Sequence, residues 1–270
     1  MDHVQLLTKP VAASITKPIE LYIFIDPLSA NSLRMQTVLR KLQLEYDHYF
    51  TWRYVLSTKL ASLNTLGRRT KGCLTGTQLD FTHPALPSIA IKAAELQGKR
   101  AAARYMLKLQ EHALLKTKEV NSYAALIDIA KETAIDVEEF ISDFGSKEAA
   151  RAFQCDLHIT REMEVDEVPS IVFFNERIED EGLKVSGMYP YEVYVQILQE
   201  MMSEEVMSNP LPSFDELFVR YPILTTYDVA QIYSITEQEA ERELKKRMLQ
   251  QKIERIHNNE VTLWRHKHKI

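Results

Sequence analysis

A chain of 270 residues with 45% hydrophobic and 26% charged residues has the make-up of an ordinary soluble protein, long enough for one large domain plus an appendage. Its net charge of -5 gives no general attraction to nucleic acid or anionic membrane, and no apolar run approaches the roughly 20 residues of a membrane span. The two cysteines, Cys73 and Cys155, form no Cys-x-x-Cys and no Cys/His cluster, so neither a structural zinc site nor a disulfide framework is expected; no metal ligand or cofactor is assigned. With no export signal at its start, the chain reads as cytoplasmic, with its thiols kept reduced.

Residues 1–17 are weakly patterned, and Val4, Leu6, Leu7 and Val11 suggest a short edge strand or a loose arm. Ile19 to Ile25 is apolar nearly throughout, which suits a strand buried on both faces. Asp26-Pro27 stops it. Ser29 to Glu45 reads as a helix, with Ser29 as its cap and Leu33, Val38, Leu39, Leu42 and Tyr46 on its inner side. Tyr49 to Leu56 has strand composition and completes a strand–helix–strand unit. Gly67, Gly72, Gly76 and the run Arg68-Arg69-Thr70-Lys71 predict a surface loop.

From Pro84, placed as a first-turn proline, a helical insertion extends to about residue 163. Its helices are expected at 85–97, 100–117, 122–132, 136–144 and 147–163. The segment from Ala93 to Tyr105 should roof the Ser29 turn, and Phe153, Leu157 and Ile159 should face inward. After it come Val168-Pro169, a strand from Ser170 to Asn175, a hairpin connection to Asp180, and a second strand from Gly182 to Gly187. A last helix starts at Tyr189-Pro190-Tyr191 and runs to Met202.

Ser208-Asn209-Pro210-Leu211-Pro212 is a linker by composition. Beyond it the pattern gives three helices, 214–221, 227–233 and 237–250, capped in turn by Thr226 and Thr236 for the latter two. A hairpin around Asn258-Asn259 follows. This is the order of a winged helix. The expected division is therefore 1–205 and 206–270.

Two stretches could carry chemistry. Ser29-Ala30-Asn31-Ser32 is a four-residue turn at a helix start, where a thiol oxidoreductase carries Cys-x-x-Cys. A helix N-terminus lowers a cysteine pKa so that the thiolate attacks disulfides near neutral pH. A serine offers no such anion, so disulfide exchange is excluded here and Ser29 is read as a helix cap. Val168-Pro169 would face that turn. A proline so placed is expected to be cis, although only about 5–6% of X–Pro bonds are. Cys155, among apolar neighbours on a helix, is read as a small core residue. Cys73 lies beside Lys71, where cations would lower a thiol pKa, but a lone loop cysteine is assigned no role. The helix from Thr236 is acidic early and basic late, which suits the helix dipole and not phosphate binding.

The order strand, Asp-Pro-Leu, turn, helix, helical insertion, Val-Pro, strand and Tyr-Pro-Tyr helix resembles DsbA-like thioredoxin-fold proteins. The fuller match is to the SpxH (YjbH) family of adaptors. It rests on Phe24-Ile25-Asp26-Pro27-Leu28, on Ile91 to Gly98, on Cys155 to Ile159, on Arg161-Glu162-Met163 and on Asp180 to Tyr191. The resemblance implies an α/β DsbA-like fold with a small C-terminal winged-helix-like domain. It implies a non-enzymatic adaptor that binds the transcription factor Spx and presents it to the ClpXP protease under the control of stress. Some relatives carry Cys-x-x-Cys in the turn and a Cys/His-rich start; here the turn holds serines and the first residues only His3. Ser29, Ser32, Val168 and Pro169 are then vestigial active-site positions. No membrane or nucleic-acid partner is expected, and the Spx-binding surface is not assigned. The alternatives are a thiol-disulfide oxidoreductase or glutathione-dependent enzyme, and a DNA-binding regulator using the winged helix.

Overall fold

A computed structural model describes residues 17–57, 85–175, 182–202, 205–257 and 261–267. The expectations for the Val4 to Val11 arm, the Arg68 to Lys71 loop, Cys73, Pro84, the connection through Asp180 and the Asn258-Asn259 turn lie outside those residues.

Strand β1 (Ile19–Ile25) pairs in parallel with β2 (Phe50–Leu56), and helix α1 (Ala30–Tyr46) joins them. Strand β3 (Ser170–Asn175) runs antiparallel on the other side of β1, and β4 (Leu183–Ser186) antiparallel to β3, giving the order β2-β1-β3-β4. Central placement explains the apolar run of β1. Leu21, Ile23 and Ile25 enter the main core with Met35, Leu39 and Leu42 of α1. Phe24 points to the opposite face, onto Val55, Val165 and Val172. Glu20, near the start of the strand, is the exposed exception.

The insertion comprises α2 (Leu86–Leu96), α3 (Lys99–Leu115), α4 (Tyr123–Lys131), α5 (Val137–Phe144) and α6 (Lys147–Glu162). Pro87 occupies the first turn of α2, where it loses no helical hydrogen bond. Gly98 closes α2, its N–H donating to the Glu95 carbonyl at 2.8 Å, and then serves as the N-cap of α3. Its φ of 111° is a conformation that only glycine adopts without strain. Ser122, Asp136 and Ser146 cap the next three helices through side-chain oxygens.

Helix α6 buries Ala149, Phe153, Asp156 and Thr160, with Leu157 and Ile159 half-buried. Cys155 departs from expectation: it is exposed. It lies one residue, about 100° of helix rotation, away from the inward-facing Asp156, and the apolar neighbours in sequence lie on other faces. Asp156 fastens the insertion to the sheet. Its carboxylate accepts from the Leu56 N–H at 2.8 Å and pairs with Lys92 of α2 at 2.7 Å, both side chains almost wholly buried. Burial holds the Asp156 pKa above the usual carboxylate value in spite of the neighbouring ammonium.

Helix α7 (Tyr191–Met202) returns to the main core through Tyr194, Ile197 and Leu198. Beyond the linker come α8 (Phe214–Arg220), β5 (Ile223–Thr225), α9 (Thr226–Tyr233), α10 (Glu237–Leu249), β6 (Ile253–His257) and β7 (Thr262–His266). The sheet order is β5-β7-β6. This is the winged-helix order with one addition. Strand β5 is three residues long, too short to show a period, and its extended state comes from pairing with β7.

The cap of α9 is Thr225 and not Thr226. Thr225 and Asp228 form a reciprocal capping box, while the Thr226 hydroxyl accepts from the Trp264 indole at 2.9 Å. The Thr236–Glu239 box of α10 is as expected. Trp264, Phe218, Val229 and Leu244 centre a second core, which also takes in Leu44 of α1.

Candidate functional site

The four expected site residues meet at one end of the main sheet. The β1–β3 register pairs Phe24 with Ser170, so the turn that leaves β1 and the Val168-Pro169 bond that enters β3 lie at the same end of adjacent strands. The Val168-Pro169 peptide is cis. The Pro169 carbonyl accepts from the Gly187 N–H at 2.9 Å, which ties the bend to the end of β4.

Ser29 is the N-cap of α1, with extended backbone. Its Oγ accepts from the Ser32 N–H at 3.1 Å and donates to Ser32 Oγ at 3.1 Å. Ser32 Oγ accepts in addition from the Asp26 N–H at 3.1 Å, and Ser32 is fully buried. Asp26 accepts from the Leu28 N–H at 3.1 Å. Neither serine hydroxyl is hydrogen-bonded to an imidazole or carboxylate among the described residues, the partners that would activate a nucleophile. The two hydroxyls satisfy backbone donors at a strand end and a helix start. The insertion reaches this turn also through a residue beyond the expected 93–105 segment: Gln110 of α3 donates to the Pro27 carbonyl at 3.0 Å.

A second constellation lies on the other face of α1. Asp228 at the start of α9 accepts from the Thr37 hydroxyl and pairs with Arg40 at 3.2 Å. Its other oxygen holds the Thr225 N–H at 2.8 Å. Lys41 donates to Ser234 at 2.7 Å, and the Tyr221 hydroxyl to Gln43 at 3.2 Å. Arg265 of β7 pairs with buried Glu111 of α3. The C-terminal region is thus bolted to α1 and α3 by charge and hydrogen bonds. In the sequence Gln36, Thr37, Arg40 and Gln43 are only polar positions, the pattern of a helix face in water. The one local sign is the Thr225–Asp228 box spacing.

Between α1, α3 and the β5–α9 corner remains a cleft of about 580 Å³. It begins at Ala30, the first residue of α1, and so borders the Ser29 turn.

The thioredoxin family model matches residues 22–196. A relative described as ClpXP adapter protein SpxH, from Halalkalibacterium halodurans, is 37% identical over 93% of this chain and 89% of its own length. A protein of the same description from Shouchella clausii is 39% identical over 92% and 89%, and one from Bacillus subtilis 32% identical over 92% and 89%. The chain belongs to the SpxH family. Its body superimposes on α-DsbA1 of Wolbachia pipientis with a TM-score of 0.50 at 10% identity, covering 70% of this chain and 87% of that one. A probable DsbA oxidoreductase from Streptomyces coelicolor gives 0.50 at 15%, covering 73% and 94%. The fold of this SpxH-family chain is therefore DsbA-like thioredoxin with a helical insertion, followed by the small C-terminal region.

Proposed function

We propose that this chain is a cytoplasmic adaptor that binds Spx and promotes its degradation by ClpXP without redox catalysis of its own. The observation that carries the reading is the Ser29–Ser32 turn. It keeps the position of a thiol active site at a helix start, yet both of its hydroxyls are engaged with backbone N–H groups or with each other. Disulfide exchange needs a thiolate there, so Ser29, Ser32, Val168 and Pro169 are vestigial positions that now serve the fold. The length-wide likeness to proteins named ClpXP adapters supports the same reading. On it, residues 1–205 form the thioredoxin domain and 206–270 the winged-helix-like one.

The cations of α10 favour a protein-facing role over a DNA-reading one. Lys245 pairs with Glu241 at 2.9 Å, and Lys246 and Arg247 with Glu243 at 2.6 and 2.9 Å, which leaves them poor phosphate ligands. The experiment is reconstituted ClpXP degradation of purified Spx. The protein should shorten the half-life of Spx, and an unchanged half-life would sink the proposal. Insulin reduction above background would revive the oxidoreductase alternative.

A further inference from the structure

The cleft bordered by α1, α3 and the β5–α9 corner has features that the fold does not need. Gln36 lines it and is 4% exposed, yet its amide Nε2 is buried with no hydrogen-bond partner among the described residues. A buried polar group left in this state is costly, so it calls for an acceptor. The apolar lining comes from Leu33, Leu107 and Ile223, all partly accessible.

The charges sort into two kinds. Arg40 and Glu111 are neutralised inside the protein, by Asp228 and Arg265. Arg34 on α1 and Glu237 on α10 are exposed, line the same cleft, and have no ion pair among the described residues. A cleft with an apolar floor, an unsatisfied amide donor, a cation and an anion matches a polypeptide segment of alternating character. Backbone carbonyls suit Gln36, apolar side chains suit the leucines, a carboxylate suits Arg34 and an ammonium or guanidinium suits Glu237.

We infer that this cleft is the docking site for the adaptor's client, which inserts an amphipathic segment bearing one acidic and one basic residue around an apolar centre. The inference rests on the adaptor reading and names the site where that reading acts. It also gives the C-terminal region a part in binding, because β5 and α9 supply one wall and the client touches both regions at once.

The test measures binding of purified Spx to the full chain by titration calorimetry. Arg34→Glu and Glu237→Lys alter exposed residues and leave the core untouched. Each should weaken binding about fivefold, and the pair about tenfold or more, with thermal stability unchanged. Gln36→Leu removes the orphan amide; it should weaken binding while leaving stability equal or higher. Arg151→Glu, at an exposed position of α6 outside the cleft, should bind as wild type does. A reversed charge on the client should rescue the matching reversal here. Wild-type binding that all three cleft variants retain within twofold would overturn the cleft and leave the adaptor reading standing. No binding by wild type would overturn both. A dimer of the free protein that Arg34→Glu disperses, with Spx binding intact, would assign the cleft to a second copy and overturn the inference.

Discussion

Two buried aspartates hold this molecule together at two different seams. Asp156 joins the helical insertion to β2, and Asp228 joins the C-terminal region to α1. At the first, the carboxylate is 2% exposed and its partner Lys92 6%. Glu95 also reaches Lys92 at 2.7 Å and Arg53 lies 3.8 Å from Asp156, so the pair is the buried centre of a small charge cluster. At the second, Asp228 is 8% exposed and Arg40 15%, and the remaining contacts are hydroxyls and a backbone N–H. One seam lies inside a core. The other is a polar joint between two cores, bridged by Leu44 as the buried α1 residue that reaches the second cluster. A polar joint of this kind opens at lower free energy than a core.

The largest expected effect breaks the first seam. Asp156→Ala should destabilise the protein by about 3 kcal/mol, because it removes the acceptor of the Leu56 N–H and leaves the buried Lys92 with Glu95 as its remaining partner. Chemical denaturation measures this, and replacing Lys92 with Met in the same protein should recover much of the loss. A cost below about 1 kcal/mol would show that the two seams do not differ as described.

Asp228→Ala should cost about 2 kcal/mol, from the lost cap and ion pair together. Its effect should be local. Amide exchange should rise in α8, α9 and α10 while β1 and β3 stay protected. Uniform acceleration across both sheets would make the second seam as integral as the first. Ser29→Ala is expected to cost about 1 kcal/mol, the value of a helix cap, and to leave Spx binding unchanged. A loss of binding without a loss of stability would return a functional role to the turn.

The smallest effect concerns pH. Glu132, beside Lys118, His112 and Lys108, has its pKa lowered to about 2, chiefly by its hydrogen bond with Lys118. A carboxylate with a depressed folded pKa stabilises above its usual value and loses that stability as pH falls from about 4.5 toward 2. Glu132→Gln should flatten the acid limb of a stability–pH curve in that window. The change should stay below about 1 kcal/mol, since the Glu132 side chain is 38% exposed. Asp156 has the opposite sign. Its raised pKa means that its contribution declines as pH climbs above the ordinary carboxylate value.

The elements with a strong local signal are legible in the chain. The apolar run of β1 and the caps Ser29 and Thr236 are written in neighbouring residues, while the cis state of Val168-Pro169 is expected only from its pairing with the distant Ser29 turn. Cys155 is not, because sequence proximity to Leu157 and Ile159 says little about helix face. Strand β5 escapes a local reading because its extended state comes from pairing with β7, a strand far along the sequence, whereas the Thr225 cap is marked locally by the Thr225–Asp228 spacing and is obscured only by the neighbouring Thr226. The polar face of α1 is hidden for a deeper reason. Gln36, Thr37, Arg40 and Gln43 look like solvent positions, and only the packing of a second core against them shows otherwise.

The Ser29 to Ser32 turn shows where the division falls. Residue chemistry alone excludes disulfide exchange there, because a hydroxyl supplies no accessible anion and forms no disulfide. It also determines the helix start, since a serine cap satisfies donors within its own turn. Tertiary structure decided what surrounds the turn: Gln110 above it, a cleft beside it, and a C-terminal region fastened to the far face of its helix. Those contacts join residues as far apart as Lys41 and Ser234, separated by 193 positions. Their energy depends on burial and geometry that the folded chain creates, and no local pattern encodes them.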